Sequence, residues 1–329
     1  MLYGLQTGII VLRKIGLLLG AASLGVLVTS CGDDETPTPT PTSADTSTPT
    51  PTPTPTSTAP IAFSVTQDFA ASSANTNAIV GFFTPDGSTS EVFSSAARVN
   101  GTAVIELDTT PDTASFGFPD IATLLVFAAA DFVSVSATER RYARGDEALT
   151  LFLPATHIMR VTYDLDDQAF TRDNVAGTLR SRRSSLFFNP VTTTDDITAA
   201  LTYTGTAEAF GGAPGVTPSG ILTVTATNLV VTPGATATAA DTVTITIEIF
   251  ETVNNVSTRV ATLVMTDDVT TNGTFFGDID DNTFGLDGEF AGSLAGPNRE
   301  EAFLVFSVTD DDPADADNRR FVGSWIGAR

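Results

Sequence analysis

The sequence predicts an all-β head, and three observations carry that reading. From Ile61 onward no helical stripe of useful length appears. Over Thr242–Glu251, Val243, Ile245, Ile247 and Ile249 interleave with Thr244, Thr246 and Glu248, which makes one face apolar and the other wet. Between residues 198 and 326, about eight short strands recur with turn signals between them, the pattern of an antiparallel barrel or sandwich.

Residues 1–30 read as an export leader. Arg13-Lys14 precedes the apolar run 15–28, and small residues stand before Cys31, the only cysteine of the chain. The run has 14 residues, short of the roughly 20 that span a bilayer. Val28-Thr29-Ser30-Cys31 resembles the lipobox of bacterial lipoproteins. That resemblance implies cleavage before Cys31, lipid attachment at Cys31 and passage through the lipoprotein export and sorting machinery. Gly32 stands where an aspartate would signal inner-membrane retention, so an outer-membrane destination is expected, with surface or periplasmic orientation open.

Residues 31–60 comprise this cysteine and a stalk of repeated Pro-Thr. Proline at every second position blocks helix and sheet and favours polyproline II. Fully extended, such a tract reaches about 85 Å at roughly 3.1 Å per residue. Residues 61–190 are expected to form a smaller β-rich domain, with its boundary between 175 and 195. Within it Asn100-Gly101 reads as a hairpin turn, 132–143 and 157–165 as strands, and 119–130 equally as a short helix or a buried strand.

Residues 191–329 hold the regular strands. Asn254-Asn255 turns the alternating segment into a second strand, a hairpin by its turn chemistry. Further strands are expected near 198–207, 220–231, 283–294, 302–308 and 320–326, with a short one at 274–278. Trp325, the single tryptophan, belongs to the last of them as a core or barrel-closure residue.

The segment 284–308 carries a resemblance. Gly288, Phe290 and Gly292 space a strand, Gly296-Pro297 makes a turn, and Glu300-Glu301 precede a hydrophobic strand through Phe303–Phe306. Small glycines between large residues suit a tightly curved strand, and Pro297 sits where no ladder donor is needed. This resembles the barrel domain of the transferrin-binding-protein-B-like surface lipoproteins. Ala302-Phe303 stand where that family has a glycine after the acidic pair. The resemblance implies an antiparallel eight-stranded β-barrel preceded by a handle-like domain, and capture of a ligand by loops. It does not imply the ligand, because ligand loops vary while folds persist.

Charge narrows the partners. The chain has net charge −23, and loss of Arg13 and Lys14 with the leader, which contains no acid, takes it to −25. Such a surface repels nucleic acid and anionic headgroups, so no nucleic-acid partner is expected.

Three acidic clusters are candidate cation ligands: Asp164/Asp166/Asp167, Asp278/Asp280/Asp281, and Asp310, Asp311, Asp312, Asp315 and Asp317. Calcium prefers such clustered carboxylates, and the third group is the candidate metal site. The second lacks a glycine at its sixth loop position, where Thr283 stands. His157 is the only histidine and no Gly-x-Ser-x-Gly elbow exists, so no catalytic residues are assigned and no enzyme is expected. Arg140/Arg141/Arg144 and Arg180/Arg182/Arg183 read as partners of nearby acids or as an anion site. The combined expectation is a lipid-anchored envelope protein that binds an unidentified protein or solute. The alternatives are a calcium-stabilised structural or adhesive lipoprotein and an anchored hydrolase.

Overall fold

A computed structural model describes residues 63–218, 221–236, 238–310 and 318–329. The leader, the stalk and Cys31 lie outside these residues. The described chain is all-β, built of three antiparallel sheets.

The first sheet contains β1 (Phe69–Ala74), β4 (Thr102–Thr109), β5 (Asp112–Gly117) and β6 (Leu125–Phe127), in that order. The second contains β2 (Asn77–Pro85), β3 (Val92–Val99), β7 (Phe132–Val135), β8 (Glu139–Arg144), β9 (Glu147–Phe152), β10 (Ile158–Arg172) and β11 (Val175–Phe188), ordered β3-β2-β11-β10-β9-β8-β7. Period two explains how these strands serve two cores. Met159, Val161 and Tyr163 on one face of β10 pack with Ile105, Phe116 and Phe127 of the first sheet. Ile158 and Leu186 on the opposite face pack against Ala295, Phe303 and Val305 of the C-terminal sheet. The seven-stranded sheet is therefore the middle layer.

The C-terminal sheet comprises β12 (Leu201–Gly212), β13 (Ile221–Ala226), β14 (Leu229–Thr232), β15 (Asp241–Val253), β16 (Val256–Val269), β17 (Thr274–Asp281), β18 (Leu286–Ala295), β19 (Glu301–Asp310) and β20 (Arg320–Ala328). β13 and β14 lie in succession along one edge of β15, so nine strands occupy eight positions. The break falls at Thr227, whose hydroxyl accepts from Thr246 N–H at 2.9 Å. Neighbours in sequence are neighbours in space, and β20 returns to pair with β12. β16 runs beside β17, where Thr262 N–H donates to Asp281 Oδ2 at 2.6 Å.

Ile245, Ile247, Leu263, Phe290, Phe306 and Trp325 fill the interior. Each large apolar side chain so buried contributes roughly 1.5–3 kcal/mol. The glycine-spaced strand also has its cause here. A Cβ at Gly292 would lie 2.3 Å from the Phe275 ring and 2.4 Å from Phe303 O, so only glycine lets β18 curve that closely.

One sequence reading is corrected. Asn100-Gly101 is a crossover between sheets, not a hairpin, because β3 pairs with β2 whereas β4 pairs with β1 and β5. Asn75 holds the crossover by donating N–H to Gly101 O and accepting from Gly101 N–H on its Oδ1. Of the two readings of 119–130 the strand is the one formed, as the short edge strand β6, followed by a single 3-10 turn at Ala129–Asp131.

Candidate functional site

Because apolar side chains fill the barrel, ligand space lies at its ends and along its outside. At the end where β12, β15, β17 and β19 begin, segments 193–198, 233–236 and 239–241 and the turn 270–273 enclose a cleft of about 710 Å³. Its walls are mainly polar: hydroxyls of Thr193, Thr194, Thr198 and Thr270, and carboxylates of Asp195, Asp196 and Asp241. Turn chemistry fixes the walls. Thr193 N–H donates to Pro297 O at 2.9 Å, and Asp241 Oδ1 accepts from Gly234 N–H at 2.9 Å. Thr270 Oγ1 accepts from Thr274 N–H at 3.0 Å.

Arg299, in the left-handed region at φ 65°, ties the floor together. Its Nη2 donates to Asp195 O at 2.7 Å, and the Tyr203 hydroxyl donates to Arg299 O at 2.9 Å. Burial pushes the Tyr203 phenol up to about 12, with Arg329 and Arg299 opposing the rise and Glu300 adding to it. An unfolded tyrosine titrates near 10, so this stabilisation is complete below about pH 10 and lost as pH climbs to about 12. Denaturant midpoints measured across that window are expected to fall more steeply for the wild type than for Tyr203→Phe. A residual alkaline limb is expected in the variant, because burial also raises Tyr142 and Tyr163. Identical slopes would remove Tyr203 from this account.

The structure separates the acidic clusters. Asp164 binds Arg182 through both carboxylate oxygens, at 2.6 and 3.2 Å. In β17, Asp278 and Asp280 are exposed, whereas Asp281 is buried and accepts from Thr262 and Thr283 N–H. That cluster lies on a strand with its members on opposite faces. Asp310 is buried at the end of β19, where its N–H donates to Arg319 O at 2.8 Å. Asp311, Asp312, Asp315 and Asp317 lie outside the described residues. Among the described residues, no group of three or more His, Cys, Asp or Glu side chains is placed to hold a metal.

The arginine clusters meet acids. Arg180 binds Glu91 and Arg183 binds Asp120, each in a fork, while Arg140 pairs with Asp112 and Arg144 with Glu147. His157 sits between layers: a Cβ on Gly296 would lie 2.7 Å from its Cδ2, and its Nδ1 is 3.4 Å from Asn189 Nδ2.

No protein-family model matches the chain, and no curated protein matches its sequence. Among solved structures it is similar to isotype 1 transferrin-binding protein B of serogroup B Neisseria meningitidis. That match has 10% identity and a TM-score of 0.33, over 73% of this chain and 49% of that one. It is also similar to a point mutant of the vaccine antigen transferrin-binding protein B of Haemophilus parasuis Hp5, at 8% identity and a TM-score of 0.25, over 80% of this chain and 76% of that one. The chain thus spans about half the length of the meningococcal protein.

The sequence points to ligand capture by loops but does not say which loops come together. Their clustering depends on strand order, which alternation does not encode. One signal was readable. Phe275-Phe276 is an aromatic doublet in a period-two strand, so one ring must face outward.

Proposed function

We propose that this protein is a lipid-anchored binding protein of a bacterial envelope. Cys31 carries the lipid, the Pro/Thr tract sets the reach, and the mouth of the barrel captures a protein or solute ligand non-covalently. The observation that carries the reading is the cleft of about 710 Å³ over a packed interior. A ligand has no room inside the barrel, whereas the mouth offers hydroxyl and carboxylate partners on loops fixed by their own hydrogen bonds. An outer-membrane location follows from the lipobox and Gly32.

Mass spectrometry of the mature N-terminal peptide tests the anchor. The wild-type peptide is expected to begin at Cys31 with the mass of attached acyl chains, and Cys31→Ser is expected to abolish both cleavage there and the added mass. A mature terminus elsewhere, or an unmodified Cys31, would overturn the anchoring. Protease treatment of intact cells, with a periplasmic control protein, then assigns the head to the outside or to the periplasm.

A further inference from the structure

A second surface lies between the barrel and the middle sheet. A groove of about 380 Å³ runs there, lined by Asn75, Arg98, Phe188, Phe276, Asp278 and Glu289 among others. Phe276 is 69% exposed although Phe275 and Ile279, its inward-facing neighbours on β17, are in the core. The fold does not require an aromatic ring at that outward position. Asp278 follows on the same face, directly opposite Glu289 across the β17–β18 ladder, and Asp280 lies one pleat further. Like charges set directly opposite each other are destabilising. The positive group within reach, Arg98, is already engaged. Its side chain is only 6% exposed and bridges to Glu289 at 2.8 Å, while Nη2 donates to Asn75 O at 3.1 Å. The accessible rim is therefore an aromatic ring bordered by carboxylates.

We propose that this groove receives a basic segment of a partner protein, with an apolar side chain of that segment on Phe276 and its cationic groups on Asp278 and Glu289. Charge selects this occupant. A second copy carries the same net charge of −23, and anionic lipid or nucleic acid is repelled for the same reason. Of the chain's own arginines only Arg98 reaches these acids; it holds one oxygen of Glu289, whose side chain stays 53% exposed, and leaves Asp278 to the partner, while the arginines of the middle sheet are paired with acids there. This inference rests on the binding-protein reading but concerns a different surface from the mouth cleft.

The test uses the full-length protein in detergent and a fluorescein-labelled Lys-Trp-Lys-Lys-Trp-Lys peptide, with the Glu-for-Lys peptide alongside, read by fluorescence anisotropy. The basic peptide is expected to bind, and the acidic one to fail. Phe276→Ser is expected to weaken binding about tenfold or more, the effect of losing one buried aromatic contact. Since Phe276 is exposed, an unchanged circular dichroism spectrum should accompany that loss. Asp278→Asn/Asp280→Asn is expected to weaken binding at low salt and to flatten its salt dependence, whereas Asp86→Asn/Asp146→Asn, at exposed acids elsewhere, leaves it unchanged.

Equal loss in the two double variants would mean bulk charge attraction and overturn the groove. Equal binding by wild type and Phe276→Ser would also overturn it without touching the mouth cleft or the anchor. Sedimentation showing a dimer that Phe276→Ser dissolves would assign the surface to a second copy instead, and the proposal would fail. An unlipidated Cys31, conversely, would defeat the anchoring and leave this result standing.

Discussion

Replacing Arg140 with methionine is expected to destabilise the protein by roughly 3 kcal/mol, the low end for removing one member of a buried ion pair, because Asp112 keeps 24% of its side chain exposed. Arg140 is 5% exposed on β8 and joins three parts of the chain. Its Nη1 donates to Val65 O at 2.9 Å, its Nε to the Tyr142 hydroxyl at 2.7 Å, and its Nη2 to Asp112. Tyr142 in turn donates to Asp112 Oδ1 at 2.6 Å, and the Phe132 ring lies 5.0 Å beneath the guanidinium. Methionine fills the volume but leaves a carboxylate, a phenol oxygen and a carbonyl without their donor. Arg140→Met/Asp112→Asn removes the charge as well and should recover part of the loss, which equilibrium denaturation of the two variants would measure. A single-variant effect under about 1 kcal/mol would show that solvent replaces the network at little cost.

The second large effect is expected at Glu301. This carboxylate is 4% exposed at the start of β19 and accepts two backbone donors, Thr156 N–H at 2.7 Å and His157 N–H at 2.8 Å. A short relay continues the join: Asn189 N–H donates to His157 O, and Gly296 N–H to Asn189 O, each at 3.0 Å. Glu301→Ala would strand both donors, at roughly 1–3 kcal/mol for each unsatisfied group, or about 3 kcal/mol together. Glu301→Gln keeps acceptor capacity and should fall between. Hydrogen exchange separates a local from a global effect. The Thr156 and His157 amides should lose protection first, and unchanged protection there would refute the latch.

The acidic pair shows what the sequence made legible and what it hid. Glu300-Glu301 after Gly296-Pro297 was readable as a motif, and so was the alternation through Ile249. Asn254 and Asn255, at φ 50° and 64°, adopt the conformation that their turn chemistry predicts. These features are local, fixed by period and backbone preference. That Glu301 is buried while Glu300 is not depends on the 153–157 connection arriving from another sheet, more than 140 residues away in the chain. The crossover at Asn100-Gly101 looks like a hairpin turn for the same reason: alternation marks a strand but not its partner. In the sequence β17 reads as 274–278 because its carboxylates look like a loop, yet Asp281 belongs to the strand and accepts donors from both sides. The groove and the mouth cleft were hidden because both are products of strand order.

The return of β20 to β12 has a consequence in time. Ser324 and Glu208, which hydrogen bond across that ladder, are 116 residues apart in the chain. Until β20 arrives with Trp325, β12 and β19 both present open edges, and the apolar lining they share with Phe290 has no enclosure. Open edges beside exposed apolar surface invite pairing with other chains. Pairings this distant along the chain also place folding toward the slow, millisecond-to-second end of the range. Nascent chains therefore need to be kept apart until the final strand has been made, and a synthesis that stalls before Arg320 yields a species prone to self-association.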